Sequence, residues 1–463
     1  MASVMALTTD GSETGVKGEA LEALAGRMRG PVLTPEADGY DRARAIWNGM
    51  IDHKPAIIGR CAGTSDVKAC VEFAREHDLL VSVKGGGHNF AGKSVCEGGL
   101  MIDLADMRSV YVDPARLRAR AAGGAKWIDF DTETQAFGLA TTGGTVSDTG
   151  IGGLTLGGGM GWLGGKYGLS CDNLVSAEVV LADGRIVTAS ADQNEDLFWG
   201  LRGGSGNFGV VTSFEYQLHS VPLIFAGPVF HPFPAAAGVL RFFGEFSSDI
   251  PDELSMGGAL LHTPEGMPVA GIIGVWNGPI DDGERAVRPV REFGPPVVDE
   301  FQPMPYGAIQ TALDPMLPVG NRYYSKGHLI GELTEEFVAV MVDAYERVPT
   351  PGSIAILQQP GNAANRVDPA ATAFSHRHAR YELTILAGWT DPADDEKCVG
   401  WTRELYNATA RFGLGHYVNS LMDADQSVDS AYQPEGYARL RGLKAKYDPT
   451  NFFRLNPNIP PSA

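Results

Sequence analysis

Three dense glycine clusters, at Gly85–Gly87, Gly143–Gly168 and Gly203–Gly209, constrain this chain more than any other feature of its sequence. Glycine inside ordered structure costs backbone entropy, so such clusters mark places where the main chain must approach something closely. The usual partner is an anion such as a pyrophosphate, cradled by backbone N–H groups. The common dinucleotide fingerprint does not explain them. Gly204-Ser205-Gly206-Asn207-Phe208-Gly209 spells G-x-G-x-x-G, but a β-branched strand follows from Val210 where a helix should open. The residues around Val229, where a ribose-binding acid belongs, are apolar. Gly150-Ile151-Gly152-Gly153-Leu154-Thr155 carries Thr155 in place of the third glycine.

With 463 residues, 44% of them hydrophobic, the chain can build two packed domains. A formal charge of −19 argues against nucleic acid and anionic lipid as partners. Five scattered cysteines without a C-x-x-C pair suggest neither a zinc site nor a disulfide framework. Neither H-E-x-x-H nor G-x-S-x-G occurs, so metal-assisted hydrolysis and a serine nucleophile find no support. With no apolar leader and no membrane-length apolar run, the expectation is a cytoplasmic protein.

Periodicity places a helix over 19–28 after a weakly ordered leader, and another over 65–77. In the second, Ser65 is the expected N-cap and Val67, Cys70, Val71 and Ala74 form the buried stripe. Short strands follow at 79–83 and 99–104, a β-rich stretch at 110–122 and a helix over 126–137 that stops at Gly138. A hairpin turns at Asp183-Gly184, and a strand runs over 210–218. Beyond Val221 the character changes. Strands at 225–232, 254–262, 269–276 and 381–389 alternate with helices at 235–246, 283–293, 335–348 and 396–412. This pattern fits an antiparallel sheet with helices on one face.

The glycine-rich blocks together resemble a known family. Val83-Lys84-Gly85-Gly86-Gly87-His88-Asn89-Phe90-Ala91-Gly92 is similar to the pyrophosphate loop of the FAD-linked oxidases related to vanillyl-alcohol oxidase, in the berberine-bridge-enzyme-like branch. The blocks at 152–163, 166–173 and 197–211 continue the match, and Tyr447–Ile459 resembles the closing signature. The resemblance implies an α+β fold with a PCMH-type FAD-binding domain built from residues 1–222 and closed by 416–463. The substrate domain, 223–415, would be the antiparallel sheet backed by helices.

It also implies the cofactor and its contacts. FAD would be held by Lys84, Gly85, Gly86, Gly87, His88, Asn89 and Gly92, with Lys84 adding positive charge near the diphosphate. Thr145, Ser147, Gly150, Gly153 and Gly158 would follow from the second cluster, Asn207 and Val210 from the third, and Asn456 and Asn458 from the C-terminus. His88 would carry the flavin covalently. Some relatives add a second link through a cysteine; Val146 stands there, so a single link is expected. Thr149 occupies the position that governs dioxygen access, and Cys171 is expected to be buried and inert.

On 381–389, alternation puts Tyr381, Leu383, Ile385 and Trp389 toward helices, and Glu382, Thr384, Leu386 and Gly388 toward a cavity. Glu382 is one candidate base for a substrate hydroxyl or amine. Thr384 matches the family's reactive position but is a poor base. Tyr417, in a Tyr-x-Asn motif with Asn419, is the other candidate, with Lys326 as a cation that would lower its pKa. The His376-Arg377-His378 run reads as structural. The expected activity is oxidation of a small organic substrate (alcohol, amine or natural-product intermediate), with dioxygen as acceptor. A flavin dehydrogenase that avoids dioxygen and a redox-neutral cyclase or isomerase are the alternatives. Oligomeric state is not legible.

Overall fold

Strands Ile57–Arg60, Leu100–Asp103 and Val81–Lys84 run parallel in a four-stranded sheet edged by antiparallel Val32–Leu33. In this computed structural model, which describes residues 1–423 and 425–462, that sheet delivers the first glycine cluster from the end of Val81–Lys84. Helix Thr64–Glu76 crosses between the outer parallel strands and buries Val67, Cys70, Val71 and Ala74, the stripe read from the sequence. It begins at Thr64 with Gly63 as N-cap; Ser65 caps nothing. The buried Asp66 carboxylate instead accepts from the N–H groups of Arg29, Gly30 and Ala62 at 3.1, 3.0 and 2.9 Å, binding the incoming loop to the helix start.

The N-terminal residues are not a weakly ordered leader. Val4–Leu7 and Glu13–Val16 form a hairpin, and Leu7 exchanges backbone bonds with Gly98 and Leu80. Helix Gly18–Arg27 follows. A second sheet is antiparallel, in the order Ile186–Ser190, Leu174–Val180, Val210–Gln217, Arg118–Ala122, Val110–Asp113. Its first hairpin turns at Asp183-Gly184, where Gly184 has φ +83°. Helix Trp127–Gln135 packs Trp127 and Phe130 against Tyr216 of this sheet.

The largest sheet has nine strands, all antiparallel: Val298–Asp299, Ile224–Pro232, Pro268–Trp276, Leu254–His262, Ile354–Gln358, Tyr381–Trp389, Arg322–Ile330 and Gly413–Gly415, with Gln302–Met304 also on Ile224–Pro232. Helices Ala236–Phe246, Ile280–Glu292, Glu335–Tyr345 and Asp395–Thr409 cover one face. Their Phe243, Val290, Met341 and Trp401 join Tyr381, Leu383, Ile385, Ala387 and Trp389 in one core. Each fully buried large side chain there contributes about 1.5–3 kcal/mol.

Two inner strands, Arg322–Ile330 and Ile354–Gln358, have no counterpart in the sequence reading. The first is masked by Ser325, Lys326 and His328, polar residues that are nonetheless buried. The second is only five residues long.

The C-terminal helix Pro434–Tyr447 returns to the third glycine cluster. Lys444, fully buried, donates to the carbonyls of Asn207 and Phe453 and to Asp448 at 2.8, 2.9 and 2.6 Å. Asn207 answers with a bond to the Pro457 carbonyl and accepts from the Ile459 N–H, both at 3.0 Å.

Candidate active site

A cavity of about 370 Å³ lies between the three glycine clusters and the uncovered face of the nine-stranded sheet. Its floor exists because two loops touch. A Cβ on Gly86 would sit 2.4 Å from the Gly150 nitrogen, and a Cβ on Gly150 would meet Gly86 equally closely. Gly87 takes φ +71°, a conformation that favours glycine.

Gly85, Gly86, Gly87, His88 and Asn89 line the cavity, with Thr145, Gly150 and Gly153, then Val210, and Asn456 from the C-terminus. Val146 and Thr149 also face it. Six expected contacts stand off the wall and hold the chain around it. Lys84 turns its ammonium away, to the Ala43 carbonyl and to Asp103 at 3.8 Å, so it adds no charge to the glycine loop. Ser147 gives its N–H and hydroxyl to Asp314 at 3.0 and 2.5 Å. Gly92 packs on Ile51, and Gly158 lies against Phe374 and Tyr417. Asn207 is committed to the C-terminal segment, and Asn458 lies behind the wall with its Oδ1 buried and without a partner among the described residues.

His88 stands at the loop exit, stacked on Trp47 with ring centroids 4.5 Å apart; Trp47 in turn stacks on Tyr323 at 3.8 Å. Burial, then the nearby Lys126 charge, pushes the imidazole pKa down to about 3, so the ring is neutral at ordinary pH. Its Nε2 is buried, has no hydrogen-bond partner among the described residues and lies 3.9 Å from Asp148, itself paired with Lys126.

The roof carries the candidate chemistry. Glu382, Thr384 and Leu386 face the cavity, as the alternation requires. Glu382 is no solvent-exposed edge charge: it is 3% exposed on an inner strand. Its two oxygens accept from Thr384 Oγ1 at 2.6 Å and Ser420 Oγ at 2.8 Å. Burial raises its pKa against these two hydrogen bonds. Tyr417 lies on the same cavity, its oxygen accepting from the Gly159 N–H at 2.9 Å and Asn419 Nδ2 at 2.8 Å. Burial raises the phenol pKa as well, so it stays protonated near neutrality.

Lys326 does not assist Tyr417. Its ammonium pairs with Asp425 at 2.7 Å and lies over the Tyr406 ring, because the strand turns it toward Asp423 and Asp425. Arg377 makes a buried two-point pair with Asp172 at 2.7 and 2.8 Å, which accounts for the His-Arg-His run. Cys171 and the other four cysteines are buried thiols.

Several cavity residues escaped the sequence reading. Trp47 and Met160 sit in no periodic context, and Lys93 is a lone lysine that reaches the Asn456 carbonyl at 3.0 Å. Gln358 was recoverable only by recognising its strand. Ser420 follows the Tyr417-x-Asn419 motif directly, but nothing in its spacing pointed at Glu382.

The cavity suits a large planar dinucleotide. Glycine backbone lines one end, the walls carry Val81, Val83, Leu104, Val211 and Phe214, and unpartnered polar atoms of His88 and Asn456 lie beside it. Among the described residues no His/Cys/Asp/Glu group could hold a metal ion, and no helix is long and apolar enough to cross a membrane.

Comparison with known proteins agrees. A family described as FAD binding domain matches residues 55–190, and one described as berberine and berberine like matches 416–460. An FAD-linked oxidoreductase of Dictyostelium discoideum is 33% identical, covering 90% of this chain and 91% of its own. The (R)-6-hydroxynicotine oxidase of Paenarthrobacter nicotinovorans is 32% identical over 94% and 97%. The crystal structure of 6-hydroxy-D-nicotine oxidase from Arthrobacter nicotinovorans superposes with TM-score 0.86 at 30% identity, covering 94% of this chain and 98% of that one. Physcomitrella patens BBE-like 1, at 22% identity over 96% and 99%, shares the fold with TM-score 0.87. The mixed α+β architecture, the paired glycine loops and these relatives converge: the chain belongs to the berberine-bridge-enzyme-like branch of the vanillyl-alcohol oxidase superfamily and is an FAD-dependent oxidoreductase.

Proposed function

We propose that this enzyme holds FAD covalently through His88 and oxidises a small alcohol or amine, with Glu382 taking the substrate proton and dioxygen accepting the electrons. The observation that carries the reading is Glu382: a fully buried carboxylate, held at both oxygens, facing the same cavity as the neutral imidazole of His88. Bound FAD supplies a two-electron hydride acceptor. Gly85–Gly87 and Gly150 would bring backbone N–H groups to its diphosphate, while Trp47 fixes the plane of the His88 ring. A neutral imidazole with an unpartnered nitrogen is the form able to bond a flavin carbon, and Val146 leaves His88 as the single attachment.

Glu382 suits a proton acceptor better than Tyr417. Its raised pKa moves it toward the working range, whereas the phenol is driven further from it. Two donors already occupy the Tyr417 oxygen, which leaves its O–H to donate and orient the substrate. Thr384 holds Glu382 rather than reacting. Residues 1–222 with 416–463 form the FAD-binding unit and 223–415 the substrate unit, a division supported by the Lys444 and Asn207 ties. Five buried thiols suit a cytoplasmic setting.

Acid precipitation tests the link: yellow colour stays in the parent pellet and washes out of His88→Ala. Release from both sinks the covalent assignment. Stopped-flow reduction with a panel of neutral alcohols and amines tests the base, since Glu382→Gln should slow bleaching about 10²- to 10⁴-fold. Air then reoxidises the reduced parent within the mixing experiment; a persistently bleached enzyme would instead be a dehydrogenase.

A further inference from the structure

The cavity face of the sheet has its polarity gathered at one spot. Gln358 lies directly across from Glu382 in the antiparallel register, and Ile356 across from Thr384. Residues so paired point to the same face with Cβ atoms about 4.5–5.5 Å apart. On the far side, Gln358 faces Gly257, which faces Ile273. Glycine there leaves room above the amide instead of filling it. Gln358 Nε2 is shielded from solvent and has no hydrogen-bond partner among the described residues. An unsatisfied amide N–H beside a cavity costs free energy unless a ligand takes it.

The other residues of this face that line the cavity are apolar: Ala259, Ile273, Ile354, Ile356 and Leu386. The basic residues of the whole lining are His88 and Lys93, and Lys93 is engaged with the Asn456 carbonyl at the cofactor end. A substrate carboxylate would therefore be buried without a cation, and a sugar would leave several hydroxyls unpaired against isoleucine and leucine.

We infer that Gln358 is a specificity-determining residue, and that the substrate is an uncharged, mainly apolar molecule whose hydrogen-bond acceptor, a carbonyl or ether oxygen near the oxidised carbon, receives the Gln358 amide N–H. The assignment of Glu382 as proton acceptor places the oxidised carbon and is the one part of the proposed function on which this rests. No redox step is added.

Perturbation of the flavin absorption band in the holoenzyme reads binding without turnover. Four probes suffice: acetophenone, ethylbenzene, benzoate and cellobiose. In the parent, acetophenone should bind about tenfold more tightly than ethylbenzene, the effect of one hydrogen bond. Benzoate and cellobiose should be weaker than both. In Gln358→Leu the acetophenone preference should vanish while ethylbenzene binding holds, a pattern that a merely loosened strand would not give. Glu382→Gln should keep the preference, so failure of the proton-acceptor assignment, read by bleaching rates, stays separate. The inference is overturned if benzoate or cellobiose binds more tightly than acetophenone, if the preference survives in Gln358→Leu, or if no probe binds.

Discussion

Glu382 and Asp131 are both buried carboxylates whose folded-state pKa is raised, and the sign of that shift predicts their behaviour. Desolvation lifts Asp131 to about 7, against a hydrogen bond from Gln310 at 3.0 Å. The folded state then binds a proton that the unfolded chain has released, so stability falls as pH rises from about 4 to about 7. Asp131→Asn should therefore raise Tm more at pH 8 than at pH 5, measured by thermal melts at both. Glu382→Gln should follow the same sign: Tm unchanged or higher above neutrality while turnover collapses. A loss of both would mean that the carboxylate stabilises the fold. His88 was legible because a glycine run precedes it. Trp47, its stacking partner, was not, since an isolated tryptophan carries no periodicity and meets its partner only through tertiary packing.

At the scale of single elements, the loop 85–88 and the strand Tyr381–Trp389 make opposite demands. Gly86→Ala puts a methyl group into the Gly150 backbone and should separate the two glycine loops. We expect protein that folds but co-purifies with much less flavin than the parent, read from the 280 to 450 nm absorbance ratio. Leu383→Ala, on the helix-facing side of the strand, should cost about 2–5 kcal/mol in denaturant melts and leave the flavin spectrum unchanged. The faces of Tyr381–Trp389 were legible because its alternation is regular. Arg322–Ile330 was not, because Ser325, Lys326 and His328 are polar in composition yet buried, the partners of Lys326 and His328 lying far off in the chain. Ser65 failed as a cap for a related reason: Asp66 offered the incoming loop a stronger acceptor.

For the molecule as a whole, the order of the glycine blocks and the closing signature made the α+β class and the cofactor readable, since each block keeps its local spacing. The positions of Lys84, Ser147 and Asn207 were not readable. Each sits next to a cavity residue in sequence but points into the supporting shell. Lys444 shows what that shell does. Replacing it by methionine would strand Asp448 as an unpaired buried charge, and breaking such pairs costs about 3–5 kcal/mol. Lys444→Met should lower Tm and speed release of noncovalent FAD from a His88→Ala background, followed by the rise of free-flavin fluorescence; an unaltered release rate would show that the clamp and the cofactor are independent.

That the cavity borrows Asn456 and Pro457 from a segment far downstream of the His88 loop bears on how the enzyme is made. A ribosome will have finished both sheets of the first half, with the His88 loop in place, long before the segment that closes the pocket emerges. Until it does, a captured flavin would rest in an open trough. A frameshift in the codons after Gly415 should thus yield a nearly colourless product, and yellow colour in a culture reports chains translated through Pro457.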